Sequence, residues 1–242
     1  MSYRWDWGVF LEHASRNQSY LDWLISGLEV TLALGLSAWA MALVLGTTLG
    51  VARTLPSRLC RFVGAAYVEL FRNVPLLVQF FIWYFAVPEI APGGDQFKQL
   101  PPFTQQLLAA IVCLGFFTAA RVCEQVRSGI QSLPKGQKGA GLALGLTLGQ
   151  TYRHVLLPMS FRIVLPPITS EFLNIFKNSA VASTIGLMEL AAQGRQLVDY
   201  TAHSYESFIA VTALYAVISL GVIAVMRVVE NLCRVPGMSL EK

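Results

Sequence analysis

Apolar residues in this chain come in long unbroken stretches. Val30–Ala52, Gln99–Ala120 and Ser207–Met226 each run for 20 residues or more without Asp, Glu, Lys or Arg. At about 1.5 Å of rise per residue, each is long enough as a helix to cross a hydrocarbon layer about 30 Å thick. Period-two alternation is absent, which favours helices over barrel strands. Two further apolar stretches are interrupted by charge, so the pattern predicts five crossing helices, at about 23–51, 65–88, 104–126, 163–188 and 207–229. Pro75, Pro166 and Pro167 are expected to break a regular helix in the second and fourth. The predicted fold class is an all-α polytopic membrane protein, with an N-terminal segment 1–22, a transmembrane region 23–230 and a tail 231–242.

Composition agrees with that pattern. The chain is 55% hydrophobic and 13% charged, with a mean hydropathy of +0.54; a soluble domain carries about 25% charged residues. The net charge of +4 is spread through short loops, so no nucleic-acid partner is expected. Cys60, Cys113, Cys123 and Cys233 form no CxxC pair and read as reduced small hydrophobes, with no metal site. The N-terminus has no basic leader region, and its first apolar run is too long for a signal peptide core, so an uncleaved first span is expected.

Loop charge sets the expected orientation. Arg53, Arg58 and Arg61 follow the first span; Lys135, Lys138, Arg153 and Arg162 follow the third; Arg234 and Lys242 lie in the tail. The other segments hold Arg4, Arg16, Lys98 and Arg195 among Asp6, Glu12, Asp95 and Asp199. The richer set faces the cytoplasm by the positive-inside rule, which puts the N-terminus in the periplasm. Trp5, Trp7 and Trp23 fit an outer interfacial belt.

Charges within or beside the spans are the candidate chemistry: Glu69, Arg72, Arg121, Glu124, Glu171 and Lys177. Such residues face a bundle interior or a wet cavity. Glu69–Arg72, Arg121–Glu124 and Glu124–Arg127 are three apart and share a helix face, so each pair can neutralise itself. Lys177 has no acidic neighbour at helical spacing and needs a partner on another helix or a ligand. Asn178, Ser179, Ser183, Thr184 and Gly186 follow it; these are either close-packing small residues or a locally unwound segment offering polar groups to a solute. Arg suits an anionic solute because its fork binds carboxylate bidentately.

Between the third and fourth spans lies GQKGAGLALGLTLGQTYRHVLLP. The expected shape is a short helix, a turn at Gly145 that glycine permits, and a second short helix ending before Pro158, with Leu142, Leu144 and Leu146 presenting an apolar surface. The spacing of Gly139-Ala140-Gly141, three residues, Gly145, nine residues and Val155-Leu156-Leu157-Pro158 resembles the E-A-A-x3-G-x9-I-x-L-P loop of binding-protein-dependent ABC importer permeases. Gly139 stands where that family carries Glu, and Gly141 where it carries its second Ala. FRNVPLLVQ (71–79) and ARVCEQVRSGI (120–130) resemble the polar-amino-acid branch, with Arg121 where Tyr is usual. Within that branch the whole chain is most similar to permeases of glutamate/aspartate importers.

The resemblance implies a type I importer permease core of five helices, with 132–158 as a cytoplasmic coupling loop. It implies Gly139, Ala140, Gly141, Gly145, Leu157 and Pro158 as ATPase-coupling residues, and a solute path for which Arg121, Glu124, Lys177, Asn178, Ser179 and Thr184 are the candidates. Expected partners are a cytoplasmic ABC ATPase dimer, a second homologous permease in a hetero-oligomer, a periplasmic solute-binding protein, membrane lipid and an amino-acid substrate. No cofactor is expected in this chain, since ATP and Mg would be held by the ATPase. No P-loop or nucleophile constellation occurs here, so the chain itself is not expected to be an enzyme. An ion-coupled secondary transporter accounts less well for the 132–158 loop, and five spans supply no symmetric halves. A membrane scaffold leaves the interior charges without a purpose.

Overall fold

The computed structural model describes residues 3–15 and 18–233. Expectations placed on Arg16, Arg234 and Lys242, and on the tail from 234, lie outside the described residues. A 3-10 turn at Trp7–Leu11 and a short antiparallel ribbon, β1 (His13–Ser15) with β2 (Gln18–Ser19), lead into α1 (Tyr20–Ala52). Next come α2 (Arg58–Asn73), α3 (Leu76–Phe81), a π-helical turn Ile82–Ala86, α4 (Val87–Ile90), α5 (Gly94–Lys98) and α6 (Pro102–Gln131). Then follow α7 (Lys135–Ala143), α8 (Leu148–Thr151), a second π turn Tyr152–Leu156, α9 (Leu157–Ser179), a 3-10 turn Ala180–Ile185, α10 (Leu190–Thr201) and α11 (Ser204–Leu232).

Among the described residues, α1, α6 and α11 are each long and apolar enough to cross a membrane. The second predicted span has that character only as a broken pair, α2 with Leu76–Ile90. The break falls at Val74-Pro75, where Pro75 is extended (φ −55°, ψ 136°) and opens α3. The expected break at Pro166-Pro167 does not occur: both sit inside the continuous helix α9. Proline's fixed φ is already helical, so its cost is the lost N–H bond and ring crowding. Val164, Leu165 and Ile168 are buried around the pair and hold the helix line. Prolines at two other places do change the register. Both π turns end two residues before a proline, at Ala86 and Leu156 ahead of Pro88 and Pro158, and the intervening amides bond back five residues, Val87 N–H to the Ile82 carbonyl and Leu157 N–H to the Tyr152 carbonyl. Widening the turn makes room for the ring that would otherwise press on the preceding turn.

The described residues fall into two compact units, one within 1–41, 74–116 and 174–220 and the other within 42–73, 117–173 and 221–242. In the first, the N-terminal segment is strapped to the start of α11. Buried Glu206 accepts the Tyr3 hydroxyl and the Asp6 amide (2.7 Å). Trp5 stacks on Trp7 with centroids 5.9 Å apart, and Trp23 meets Tyr200 edge-on. These rings gather at the heads of α1 and α11, as an interfacial belt requires. In the second unit, α1 packs on α6 through Gly46 and Gly50. A β-carbon on Gly46 would lie 2.6 Å from Val122 Cβ and 2.7 Å from the Ala119 carbonyl; one on Gly50 would lie 2.7 Å from Val126 Cβ and 2.8 Å from the Cys123 carbonyl. Gly46-Thr-Thr-Leu-Gly50 is thus a GxxxG face that lets two apolar helices approach where lipid offers no hydrophobic drive to bring them together.

Gly50→Val should cost about 1–3 kcal/mol or more by overpacking this contact, read as a lower Tm of the detergent-purified protein. Gly221→Ala on α11, where an added β-carbon meets nothing within 4 Å, is the neutral control. An unchanged Tm for Gly50→Val would mean that the two helices are not in this close contact.

Candidate coupling knob and interior charge sites

The 132–158 loop folds as a knob built by its own local bonds. α7 ends in a Schellman motif: Gly145 has φ +83°, its amide bonds to the Leu142 carbonyl (3.0 Å), and the Leu146 amide reaches the Gly141 carbonyl (3.1 Å). The expected glycine turn is therefore at Gly145. Thr147 then caps α8 with a capping box: its hydroxyl accepts from the Gln150 amide (3.3 Å), and its amide donates to Gln150 Oε1 (2.9 Å). Thr147-x-x-Gln150 was a readable signal for this start. The second helix does not end before Pro158, as expected; it widens through the Tyr152–Leu156 π turn and continues into α9. Pro158 is exposed and Leu157 half-buried in the first turn of α9. Tyr152 fixes the base, donating from its hydroxyl to the Thr54 carbonyl (2.9 Å).

The knob's tip is open. Leu144 is 83% exposed and Leu142 45%, and Gly139 and Ala140 are exposed beside them. A β-carbon on Gly139 would meet nothing within 4 Å, whereas one on Gly141 would lie 2.8 Å from Thr151 Cγ2. Gly141 is thus a packing residue and Gly139 a surface residue. Leu142 and Leu144 thus form a small exposed apolar tip on a fold that caps itself.

Charge pairing differs from the sequence expectation. Glu124 does pair with Arg127, through Arg127 Nε (3.0 Å) and its terminal nitrogen, but it also takes Arg53 NH1 at 2.6 Å. Arg127 reaches on to Gln131 (2.6 Å), and Arg53 approaches Cys123 Sγ (3.8 Å). Burial alone would lower the Arg53 pKa; Cys123 and Glu124 outweigh that and hold it above its ordinary value. Glu124 is therefore committed to two cations, and the expected Arg121–Glu124 pair does not form among the described residues. Arg121 stacks over Phe117, 4.8 Å from the ring centroid, and points NH1 toward Glu171 Oε2 at 3.8 Å. Glu69 accepts from Asn73 (2.8 Å), and no Glu69–Arg72 ion pair forms among the described residues. Arg53 and Glu171 thus belong to this constellation although spacing along one helix did not join them to it.

The stretch after Lys177 lies in the other unit. Lys177 is exposed and makes no ion pair among the described residues; Asn178 is half-buried. The backbone tightens to a 3-10 turn and ends at Gly186, φ +88°. Ser179 is buried and donates to the Phe176 carbonyl (2.7 Å); Thr184, exposed, donates to the Val181 carbonyl (2.7 Å). Their hydroxyls are satisfied within the turn, the close-packing alternative for Ser179. Nearby sits a residue with no advance signal, Glu189. It is fully buried, caps α10 by accepting the Ala191 (3.1 Å) and Ala192 (2.8 Å) amides, and accepts the Tyr215 hydroxyl at 2.7 Å.

Against this geometry, the profile of binding-protein-dependent transport system inner membrane components matches residues 42–235. The chain belongs to that family. Among proteins similar to this permease is the glutamate/aspartate import permease protein GltJ of Escherichia coli, 54% identical over 98% of each chain. A probable glutamine ABC transporter permease protein of Bacillus subtilis is 33% identical, covering 83% of this chain and 87% of that one. A chain from the crystal structure of an amino acid ABC transporter with histidines superposes with a TM-score of 0.72 at 29% identity, over 88% of this chain and 94% of that one. A chain of an inward-facing methionine ABC transporter gives 0.72 at 20% identity, over 89% and 98%, and shows the same fold. The chain is a multi-pass membrane protein of this permease family.

Gly145→Ala should loosen the end of α7, because a left-handed backbone costs an L-residue roughly 1–2 kcal/mol, while Gly145→Asn should cost less. Hydrogen exchange of the α7 amides checks this. Gly139→Ala should slow that exchange, since alanine gains about 1 kcal/mol of helix propensity over glycine. Equal exchange in Gly145→Ala and the parent would count against the Schellman stop.

Proposed function

We propose that this chain is the membrane-spanning permease subunit of an ATP-driven, binding-protein-dependent importer of acidic amino acids. The observation that carries the reading is the full-length relative, a glutamate/aspartate import permease at 54% identity. Two features of the chain support it. The self-capped knob with an exposed Leu144 has the form of an element that seats in a partner's groove. Arg121 is a cation within a span, held by an aromatic stack and one loose carboxylate, which suits an anionic solute.

On this reading the knob, with Gly139, Ala140, Gly141, Gly145, Leu157 and Pro158, docks on a cytoplasmic ATPase dimer that binds ATP and Mg. This chain hydrolyses nothing and holds no cofactor. It pairs with a second homologous permease, and a periplasmic binding protein delivers glutamate or aspartate. The N-terminus faces the periplasm and the C-terminus the cytoplasm of a bacterial inner membrane. Arg121 contacts the solute. Lys177, Asn178 and Thr184 remain candidate path residues, while Glu124 serves as the anchor of Arg53 and Arg127. Gly139 in place of Glu removes one charge contact with the ATPase and leaves docking to the apolar tip.

Three measurements test this reading. Arg121→Tyr should lower glutamate and aspartate uptake more than any glutamine uptake, and Arg121→Lys should retain part of it, because Lys keeps the charge without the bidentate fork. Gly145→Asp should leave the protein in the membrane and weaken ATPase association in a pull-down. A reporter fused after Lys135 should read cytoplasmic and one near Asp95 periplasmic. Parent-level uptake with both Arg121 variants, or inverted reporters at both sites, would contradict the reading.

A further inference from the structure

Three glutamates among the described residues are buried, Glu171, Glu189 and Glu206, and Glu171 is treated differently from the other two. Glu189 has three donors within hydrogen-bond distance. Glu171 has none among the described residues; its side chain is 11% exposed, and its one ion-pair partner is Arg121 at 3.8 Å. Arg72, on α2, acts on it electrostatically from further off. A full guanidinium–carboxylate bond closes to about 2.7–2.9 Å, so this pair is a contact of charge without hydrogen bonds. Arg121 is likewise without a hydrogen bond among the described residues: its Cζ lies over the Phe117 ring and its N–H groups are uncommitted, with the side chain 40% exposed.

We propose that Glu171 is a placeholder carboxylate: it holds Arg121 while no solute is present, and the carboxylate of an incoming acidic amino acid displaces it. This rests on the reading of Arg121 as a solute contact. The chemistry favours exchange over a permanent pair. A carboxylate as buried as Glu171 costs several kcal/mol without a counter-charge, and Arg121, 40% exposed, supplies that charge while staying open to a solute. An anion bonded at full strength would have to be broken at each cycle. A partner at 3.8 Å supplies the charge and leaves every N–H donor of Arg121 for a better-placed acceptor. The cation–π contact with Phe117 holds the guanidinium without using any of its N–H donors, which stay available to a bidentate carboxylate. A zwitterionic solute has no second carboxylate for this exchange, so it gains less when the competing carboxylate of Glu171 is removed.

The test uses the purified permease complex with its ATPase subunits in lipid nanodiscs, without binding protein, and measures binding of tritiated L-glutamate and L-glutamine. Glu171→Gln removes the competing charge at constant shape and should raise L-glutamate affinity about tenfold or more, the scale of an ordinary coupling between two linked events, with a smaller gain for L-glutamine. Adding Arg121→Gln should abolish the gain. Glu171→Asp keeps the charge on a shorter arm and should show part of it, and it serves if Glu171→Gln does not assemble. An assembled Glu171→Gln complex, or failing that a Glu171→Asp complex, that binds L-glutamate no better than the parent overturns the proposal. So does a gain that survives Arg121→Gln, because the exchange is then not at Arg121. A purely structural Glu171 would lower assembly with no gain in affinity. The underlying reading fails by a separate sign: no glutamate-stimulated ATP hydrolysis by the parent complex supplied with its binding protein.

Discussion

Glu124 sits between Arg53 and Arg127, and much of the second unit follows from that arrangement. Arg53 leaves the end of α1, so the 2.6 Å contact ties α1 to α6 one turn beyond the place where Gly50 meets Cys123 and Val126. The glycine face brings the helices close, and the ion network fixes how far one slides along the other. Neither suffices alone: close packing between apolar helices is degenerate along their length, and a charge network of this kind stays satisfied only at one register. With side chains 13% to 27% exposed, the network is half-buried, so slipping out of register costs less than losing one partner of a fully buried pair, about 3–5 kcal/mol. The same commitment exhausts Glu124 as an acceptor. Arg121, one turn further into the apolar run, must look elsewhere and finds Phe117 and Glu171.

Much of this was legible in the sequence where the signal is local. Charge-free runs located α1, α6 and α11, and Gly145 was marked as the turn of the knob by its place between two leucine-rich short segments. Pro75 was marked as a break. The sequence misled where the outcome depends on what packs around the residue. Pro166 and Pro167 stay inside α9 because buried Val164, Leu165 and Ile168 keep the helix in line, whereas Pro88 and Pro158 push the preceding turn to π geometry. One residue type gives three outcomes, and tertiary support separates them.

The charge site shows the same limit. Helical spacing gives Arg121–Glu124 and Glu124–Arg127 equal standing, since both are three apart. Arg53 decides between them. It lies on another helix and, read along the sequence, is only one of several loop cations. Two signals were present and unread: Gly46-x-x-x-Gly50, which announced the α1–α6 contact, and Thr147-x-x-Gln150, which announced the start of α8. Glu189 had no such signal. Its role as a cap exists only once Tyr215 and the α10 amides are around it.

Glu189 and Glu171 are both buried carboxylates, one with its hydrogen bonds complete and one without. A carboxylate moved out of water must recover its lost hydrogen bonds, and Glu189 does so with two backbone amides and a phenol. That leaves it nothing to offer a passing molecule, and disturbing it would cost the α10 cap. Ser179 is settled in the same way by the Phe176 carbonyl. Glu171 and Arg121 are the opposite case: buried or half-buried charges with hydrogen-bonding capacity left over. Such a pair is unfavourable in isolation, and its hydrogen bonds are left unmade where Glu189 and Glu206 complete theirs. What would satisfy it is a molecule bringing both an anion for Arg121 and donors for Glu171. An amino acid, with a carboxylate at one end and an ammonium nearby, carries both.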